Sequence, residues 1–357
     1  MFLFGGKKSF LGIDIGTTSI KMVELEKDRV ARLVTYGELV FRESDSIKLL
    51  ESEMADFVRK ILKESGAASK SAVMSIPLFS SFLTVVELPA MSQAELVKAI
   101  PFEAKEFIPV PIDDVVLDWQ IIREKFLPNP RGPKFEPVKK IDVLLIVVPK
   151  ETISRYTRIA EEAGLSLLAL EVEPLSLGRL IKLIRADEKD PGLSLVLDMG
   201  ERYTNISIID KGLPVLTHSI EIAGRELTKA LVQSVGISWE RAEEIKREQG
   251  LSGQGGEAPL SDLLITITDR LIAELERVIS DFKQKNEKKI DKIFVAGGSA
   301  ALPGLSDYLN KKFSLAVVAL NPFSKIDHPT VLDSALDKYG STLSIASGLA
   351  LRQIIES

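Results

Sequence analysis

The chain has 357 residues, 45% hydrophobic and 27% charged, an ordinary globular composition with apolar surface enough for two or three packed units. Its 46 Lys+Arg against 51 Asp+Glu give a net charge of -5, so no basic excess is available to hold a nucleic-acid backbone. No cysteine is present, which excludes disulfides, thiolate metal sites and a cysteine nucleophile, and His218 and His328 alone are too few for a histidine-rich metal cluster.

The opening "MFLFGGKKSF" places its lysines after a very short apolar run, the reverse of a secretory signal. The most apolar strand, "IDVLLIVVPK", falls far short of the ~20 residues a spanning helix needs, so a soluble cytoplasmic protein is expected. "FLGIDIGTTSIKMVEL" reads as strand, polar turn and strand. Asp, Gly, Ser and Thr make ordinary turns, but Gly16 also admits a ligand to the backbone, and turn amides and hydroxyls can cradle an anion. A third strand, "RLVTYGELVF", precedes a helical stretch over 46–65, where Leu49, Leu50, Met54, Phe57, Val58, Ile61 and Leu62 recur at helical spacing. "SAVMSIP" then reads as a buried strand, and strands joined through a crossover helix argue for an α/β layer.

From residue 80 the texture changes. "SFLTVVELP" is a strand, and "SQAELVKAIPFEAKEF" a helix capped by Ser92 and Glu95, which Pro101 is expected to kink or break. "VVLDWQIIREKF" and "KIDVLLIVVPK" read as paired strands across a Pro-rich loop, and a helix over 151–163 is expected to complete a small α+β module at 80–166. "LSLLALEVEP" leads into a further helix, and "EKDPG" breaks the pattern like a linker. After it, "LSLVLDMGERYTNISIID" echoes the first hairpin, with Asp198, Gly200 and Thr204 in the places of Asp14, Gly16 and Thr17/Thr18. Two polar hairpins of one kind fit a ligand held between two lobes. "AGRELTKALVQSVGISWERAEEIKREQG" is largely helical, 262–286 forms one long helix, "VAGGSAALPGL" turns from strand to helix, and "STLSIASGLALRQI" closes the chain as a small-residue helix.

Both hairpins, "AEEIK" and "VAGGSAALPGL" recur in this order in the actin-like ATPase superfamily, which the chain resembles over most of its length. The resemblance implies a two-lobed actin-like (ribonuclease H-like) α/β fold that binds ATP with Mg²⁺. It implies a first phosphate loop of Asp14, Gly16, Thr17, Thr18 and Lys21 and a second of Asp198, Gly200 and Thr204. Glu243 and Lys246 would contact the nucleoside from one helix face, Gly297, Gly298 and Ser299 would pack against adenine and ribose, and Asp14 and Asp198 would position the magnesium, mainly through water. Each segment taken singly also has a plain reading as a turn, a solvated ion pair or a strand-to-helix connection. Glu173 in "EVEP" matches the acidic residue that polarises the attacking water in some members, and a strand-end glutamate reads almost as well. "DMGERYTN" departs from active members, which have small residues after the first glycine. Glu201 brings a carboxylate towards the phosphates, so weak or no ATP turnover is expected.

The module at 80–166 lies where the SHS2-type subdomain is inserted in the division protein FtsA, and "FEAKEFIPVPIDDVVLDWQII" resembles the signature of the PilM family of type IV pilus assembly. The implied layout is a first lobe at 9–79, completed by 167–190 and 341–357, an inserted subdomain at 80–166 and a second lobe at 191–340. That family implies a cytoplasmic scaffold recruited to the inner membrane by the N-terminal peptide of a PilN-like protein, with self-association left open. Phe102, Phe107, Ile108, Val110 and Trp119, beside Asp113 and Asp114, are the expected peptide contacts, although Phe107 and Trp119 read equally well as core. Two alternatives stay open: a carbohydrate kinase-like phosphotransferase, suggested by "GIDIGTTSIK" alone, and an FtsA-like division or secretion-system scaffold.

Overall fold

A computed structural model describes residues 8–41, 51–108, 110–127, 138–252 and 258–355. The N-terminal phenylalanines, positions 46–50 of the first expected helix and the Pro-rich loop at 128–137 lie outside them. The first lobe begins with strands β1 (Ser9–Ile15), β2 (Ser19–Lys27) and β3 (Ala31–Val40), helix α1 (Glu51–Glu64) and strand β4 (Ser71–Ile76). The inserted segment follows as β5 (Phe82–Pro89), α2 (Gln93–Ala104), β6 (Val115–Leu127) and β7 (Val138–Pro149). The chain returns to the first lobe with α3 (Lys150–Glu162), β8 (Ser166–Val172) and α4 (Glu173–Ile184).

The second lobe repeats the plan with β9 (Leu193–Met199), β10 (Thr204–Asp210) and β11 (Leu213–Ile220), then α5 (Gly224–Val235), α6 (Trp239–Gln249) and α7 (Ala258–Lys285). It continues through β12 (Ile290–Ala296), α8 (Leu305–Phe313), β13 (Ala316–Ala319) and α9 (Asp333–Tyr339), after which α10 (Ser344–Ile355) returns to pack on the first sheet and α4. Strand order is β3-β2-β1-β4-β8 in one sheet and β11-β10-β9-β12-β13 in the other. In each, an antiparallel three-strand meander is extended by two parallel strands, so the echo read between the hairpins extends to whole sheets.

The strands next to the parallel junction are buried almost throughout, and mostly apolar, because both faces of each sheet are covered. Leu11, Ile13, Ile20 and Met22 pack against Met54 and Val58 of α1 and Tyr156 and Ile159 of α3. On the other face Val23 and Leu25 share a cluster with Leu177 and Leu180 of α4, Leu349 and Ala350 of α10, and Val196 and Phe294 of the second sheet. Helices α4 and α10 therefore lie between the sheets, and α5 to α8 cover the far face of the second. Helix α3, expected inside the module at 80–166, instead packs its apolar stripe on the first sheet.

The inserted segment is an antiparallel sheet, β5-β7-β6, with α2 on one face. The expected cap of α2 is formed: Ser92 N–H donates to Glu95 Oε2 at 2.7 Å and Glu95 N–H to Ser92 Oγ at 3.4 Å. Pro101 does not end the helix, which continues to Ala104. Its missing N–H deprives the carbonyl of Val97, a residue on the exposed side of the helix where water can replace the donor.

Two glycines set the distance between α10 and its neighbours. A Cβ on Gly12 would lie 1.9 Å from the carbonyl oxygen of Ala346, and one on Gly348 would lie 2.3 Å from that of Ser176 in α4. Gly348→Ala should therefore destabilise the protein by about 1–3 kcal/mol through overpacking. The same change at an open helical position gains roughly 1 kcal/mol. Urea unfolding of parent and variant measures the sign directly.

Candidate functional site

The carboxyl ends of β1, β4, β9 and β12 converge on one cavity of about 310 Å³ between the lobes, the place where an open α/β sheet leaves a crevice. Asp14 and Asp198 are the penultimate residues of β1 and β9, and both are buried. Asp14 accepts from Ser75 Oγ at 2.8 Å, and Lys21 Nζ stands 3.7 Å from its other oxygen. Gly16 N–H donates to the Ser19 carbonyl at 2.9 Å, closing the first turn, and Gly200 N–H donates to that of Tyr203 at 3.0 Å, closing the second.

Gly297 sits at φ +84°, and a Cβ there would lie 2.5 Å from the Met199 carbonyl oxygen and 2.7 Å from Asp198 Oδ1. The wall beside Asp198 is thus bare backbone, which glycine alone supplies without strain. Glu173 opens α4, and its Oε2 accepts from Leu78 N–H and from Asn205 Nδ2, both at 2.9 Å. The Asn205 amide also lies 3.5 Å from Asp198, so one side chain links carboxyls of the two lobes.

Of the residues expected from the sequence, Asp14, Gly16, Thr17, Thr18, Lys21, Glu173, Asp198, Gly200, Gly297 and Gly298 line this cavity. Thr204, Glu243, Lys246 and Ser299 stand outside its lining. Thr204 spends its hydroxyl on the Ile222 carbonyl, and Ser299 donates to the Gly200 carbonyl. Lys246 is buried and donates to the Gly224 carbonyl at 3.1 Å and to Thr228 Oγ1 at 2.8 Å while paired with Glu243, so this pair joins α6 to the start of α5. Glu201 does line the cavity, as its place in the second turn implied.

The sequence reading did not single out Asn205, Tyr156, Arg155 or the pair Phe79 and Tyr203, whose rings stack at 4.5 Å across the mouth between the lobes. Asn205 had a signal, a lone amide in the apolar strand "TNISIID". The expected peptide contacts divide. Ile108 is buried in the core of the inserted segment and Trp119 packs against it, whereas Phe102, Phe107 and Val110 are exposed, as are Asp113 and Asp114.

Electrostatics set the character of the cavity. Burial first, then Asp198 and Asp14, pushes the Glu173 carboxyl well above its ordinary value. Burial, then Asp14, pushes Asp198 up to about 6. Among the described residues no group of three or more His, Cys, Asp or Glu is placed to hold a metal ion unaided. That donor set fits a hard cation that keeps its waters and takes one or two carboxylates, with the remaining oxygens supplied by a ligand.

The fold and its interlobe crevice are those of the actin-like class. A solved PilM-PilN type IV pilus biogenesis complex superposes with a TM-score of 0.81 at 23% identity, covering 98% of this chain and 99% of that one. MreB5 of Spiroplasma citri bound to AMPPNP superposes at 0.51 with 13% identity, over 99% and 98% of the two chains. Cell division protein FtsA of Staphylococcus epidermidis is 20% identical over 383 residues, spanning 97% of this chain and 80% of that protein. The sequence family "Type IV pilus assembly protein PilM" matches residues 12–354, and the chain belongs to that family. No helix among the described residues is long and apolar enough to cross a membrane.

A carboxyl whose folded value is raised keeps its proton in the folded state after the unfolded chain has lost it. Stability therefore falls as pH climbs from about 4, the unfolded carboxylate range, through about 6 for Asp198 and further for Glu173. Glu173→Gln keeps a carbonyl oxygen for Leu78 and Asn205 but removes the ionisation. The ligand-free variant should lose less stability than the parent between pH 5 and pH 8, and exceed it at pH 8 by on the order of 1 kcal/mol. Thermal melts across that range test the sign.

Proposed function

We propose that this protein is an ATP-binding cytoplasmic scaffold of type IV pilus assembly, recruited to the inner membrane by the N-terminal peptide of a PilN-like protein. The observation that carries the nucleotide half is the cavity closed by two equivalent hairpins, each with a buried aspartate and a tight turn, around a glycine wall. Asp14 and Asp198 would hold Mg²⁺ through water, Lys21 would neutralise phosphate charge, and the bare backbone at Gly297 leaves room for the nucleoside side of the ligand. The magnesium ion would set positive charge between the buried aspartates and the negative phosphates, adding to that of Lys21. The AMPPNP-bound MreB5 neighbour is consistent with this reading. Turnover should be slow, because Glu201 sets a carboxylate in the cavity wall.

The peptide half rests on a groove of about 840 Å³ between the inserted sheet and the first lobe, with Val116, Trp119 and Val148 on one side and Leu175 and Leu183 of α4 on the other. Strand β6 forms its rim and pairs only with β7 among the described residues, leaving a free edge that an extended peptide can use. Of the peptide contacts expected from the sequence only Trp119 lines this groove; its volume and the free edge of β6 are what favour it over the outer face carrying Phe102 and Phe107.

Two measurements test these halves separately. Asp14→Ala should reduce the rise in melting temperature that Mg²⁺-ATP gives the parent, since a weaker ligand stabilises less. Equal shifts would remove Asp14 from the site. In calorimetry with a PilN-like N-terminal peptide, Val116→Glu should cost at least about 1 kcal/mol of affinity by setting a charge on the groove wall. Phe107→Ala should cost less. The reverse order would move the peptide to the outer face, and no binding by the parent would count against the scaffold reading.

A further inference from the structure

The cavity extends beyond the phosphate hairpins towards the first lobe, where Phe41, Met54 and Ile159 give it an apolar wall. Two polar groups interrupt that wall, and both come from one turn of α3. Tyr156 is 9% exposed, and its hydroxyl has no hydrogen-bond partner among the described residues. The ring is packed in the core while the hydroxyl is open to the cavity, so water or a ligand there takes its hydrogen bond. Arg155, next to it at the mouth, forms no ion pair among the described residues. A guanidinium and a phenol side by side, both unspent and both lining a cavity with Lys21, are donors awaiting one anion.

We propose that Tyr156 and Arg155 recognise the terminal phosphate of a bound nucleoside triphosphate and so distinguish it from the diphosphate. The inference rests on the nucleotide reading of this cavity. A phosphate chain held between the two hairpins would meet Gly297 and Gly298 on the second-lobe side of the cavity and α3 on the first-lobe side. Bare backbone on the glycine side accommodates a bulky group, whereas the α3 side offers a cation and a hydroxyl donor. A diphosphate occupying the same hairpins would leave the α3 donors unused.

Tyr156 differs in kind from the hairpin residues. It carries no charge, stands on a helix that covers the first sheet, and packs its ring into that sheet's core with Leu11 and Met22. Tyr156→Phe retains the ring and its packing and removes only the donor. Arg155 is exposed, so Arg155→Ala disturbs no core.

The test is calorimetric titration of parent, Tyr156→Phe and Arg155→Ala with Mg²⁺-AMPPNP and with Mg²⁺-ADP, each variant checked by melting temperature. The parent should prefer AMPPNP. Each variant should lose about fivefold to tenfold in AMPPNP affinity and much less in ADP affinity, with the Arg155 effect shrinking at high salt. A folded Tyr156→Phe that keeps the parent's preference, or loses both nucleotides equally, overturns the assignment while leaving the nucleotide site standing. A parent that binds neither nucleotide overturns the site itself and this inference with it.

Discussion

Two aspartates buried across one seam are the constraint on which the rest of the molecule depends. Each lobe delivers one carboxyl from the end of its central strand, and Glu173 adds a third close by. Burial makes every uncompensated charge expensive, and like charges make it worse. The protein meets part of that cost internally. Lys21 faces Asp14, Ser75 donates to it, and Asn205 divides its amide between Glu173 and Asp198. What remains raises the proton affinity of Glu173 and Asp198, so that proton uptake as pH falls relieves it. A cation between the lobes would replace those protons, so cation affinity and acid stabilisation have one origin.

That arrangement requires two sheets with equivalent strand ends facing one another, and the fold supplies them by repeating one plan. In both sheets the first strand lies between its antiparallel hairpin partner and a parallel neighbour, so its end marks the switch point where a crevice must open. The two halves are held in register by α4 and α10. Their close crossing depends on Gly348, and the approach of α10 to β1 depends on Gly12. Arg185, at the end of α4, is buried and reaches Asp291 at 2.6 Å at the start of β12, tying the middle layer to the second sheet.

The hairpins were legible in the sequence because each places an aspartate, a glycine and hydroxyls in a short turn between apolar runs, a local pattern with a local cause. Gly297 and Gly298 were legible for the same reason. Long-range assignments were not. The amphipathic stripe of α3 reads identically whether it covers the inserted sheet or the first lobe, and only the packing of Tyr156 and Ile159 against Leu11 and Ile13 decides. Glu243 and Lys246 were read correctly as neighbours on one helix face, yet the acceptors that engage Lys246, Thr228 and the Gly224 carbonyl, come from a different helix. Ile108 and Phe107 are adjacent in sequence but one is buried and the other exposed, a distinction that prolines on either side conceal.

The inserted sheet is joined to both lobes, by covalent continuity to one and by charge to the other. Strand β7 runs through Pro149 directly into α3, so the sheet has no loop separating it from the helix that carries Arg155 and Tyr156. On the other side Arg123 of β6 reaches Asp210 of β10 at 2.7 Å, where Lys288 also pairs at 2.8 Å. Lys125 and Arg123 in turn face Asp142, which is buried. An aspartate with so little water around it holds its cations more firmly than a surface pair does. The groove between β6 and α4 is thus bounded by elements fastened to each lobe, with Leu213 of the second lobe on its wall. A change in the angle between the lobes must therefore alter either the Arg123–Asp210 link or the width of that groove. Val148 on the groove wall and Arg155 and Tyr156 at the crevice belong to one continuous strand and helix.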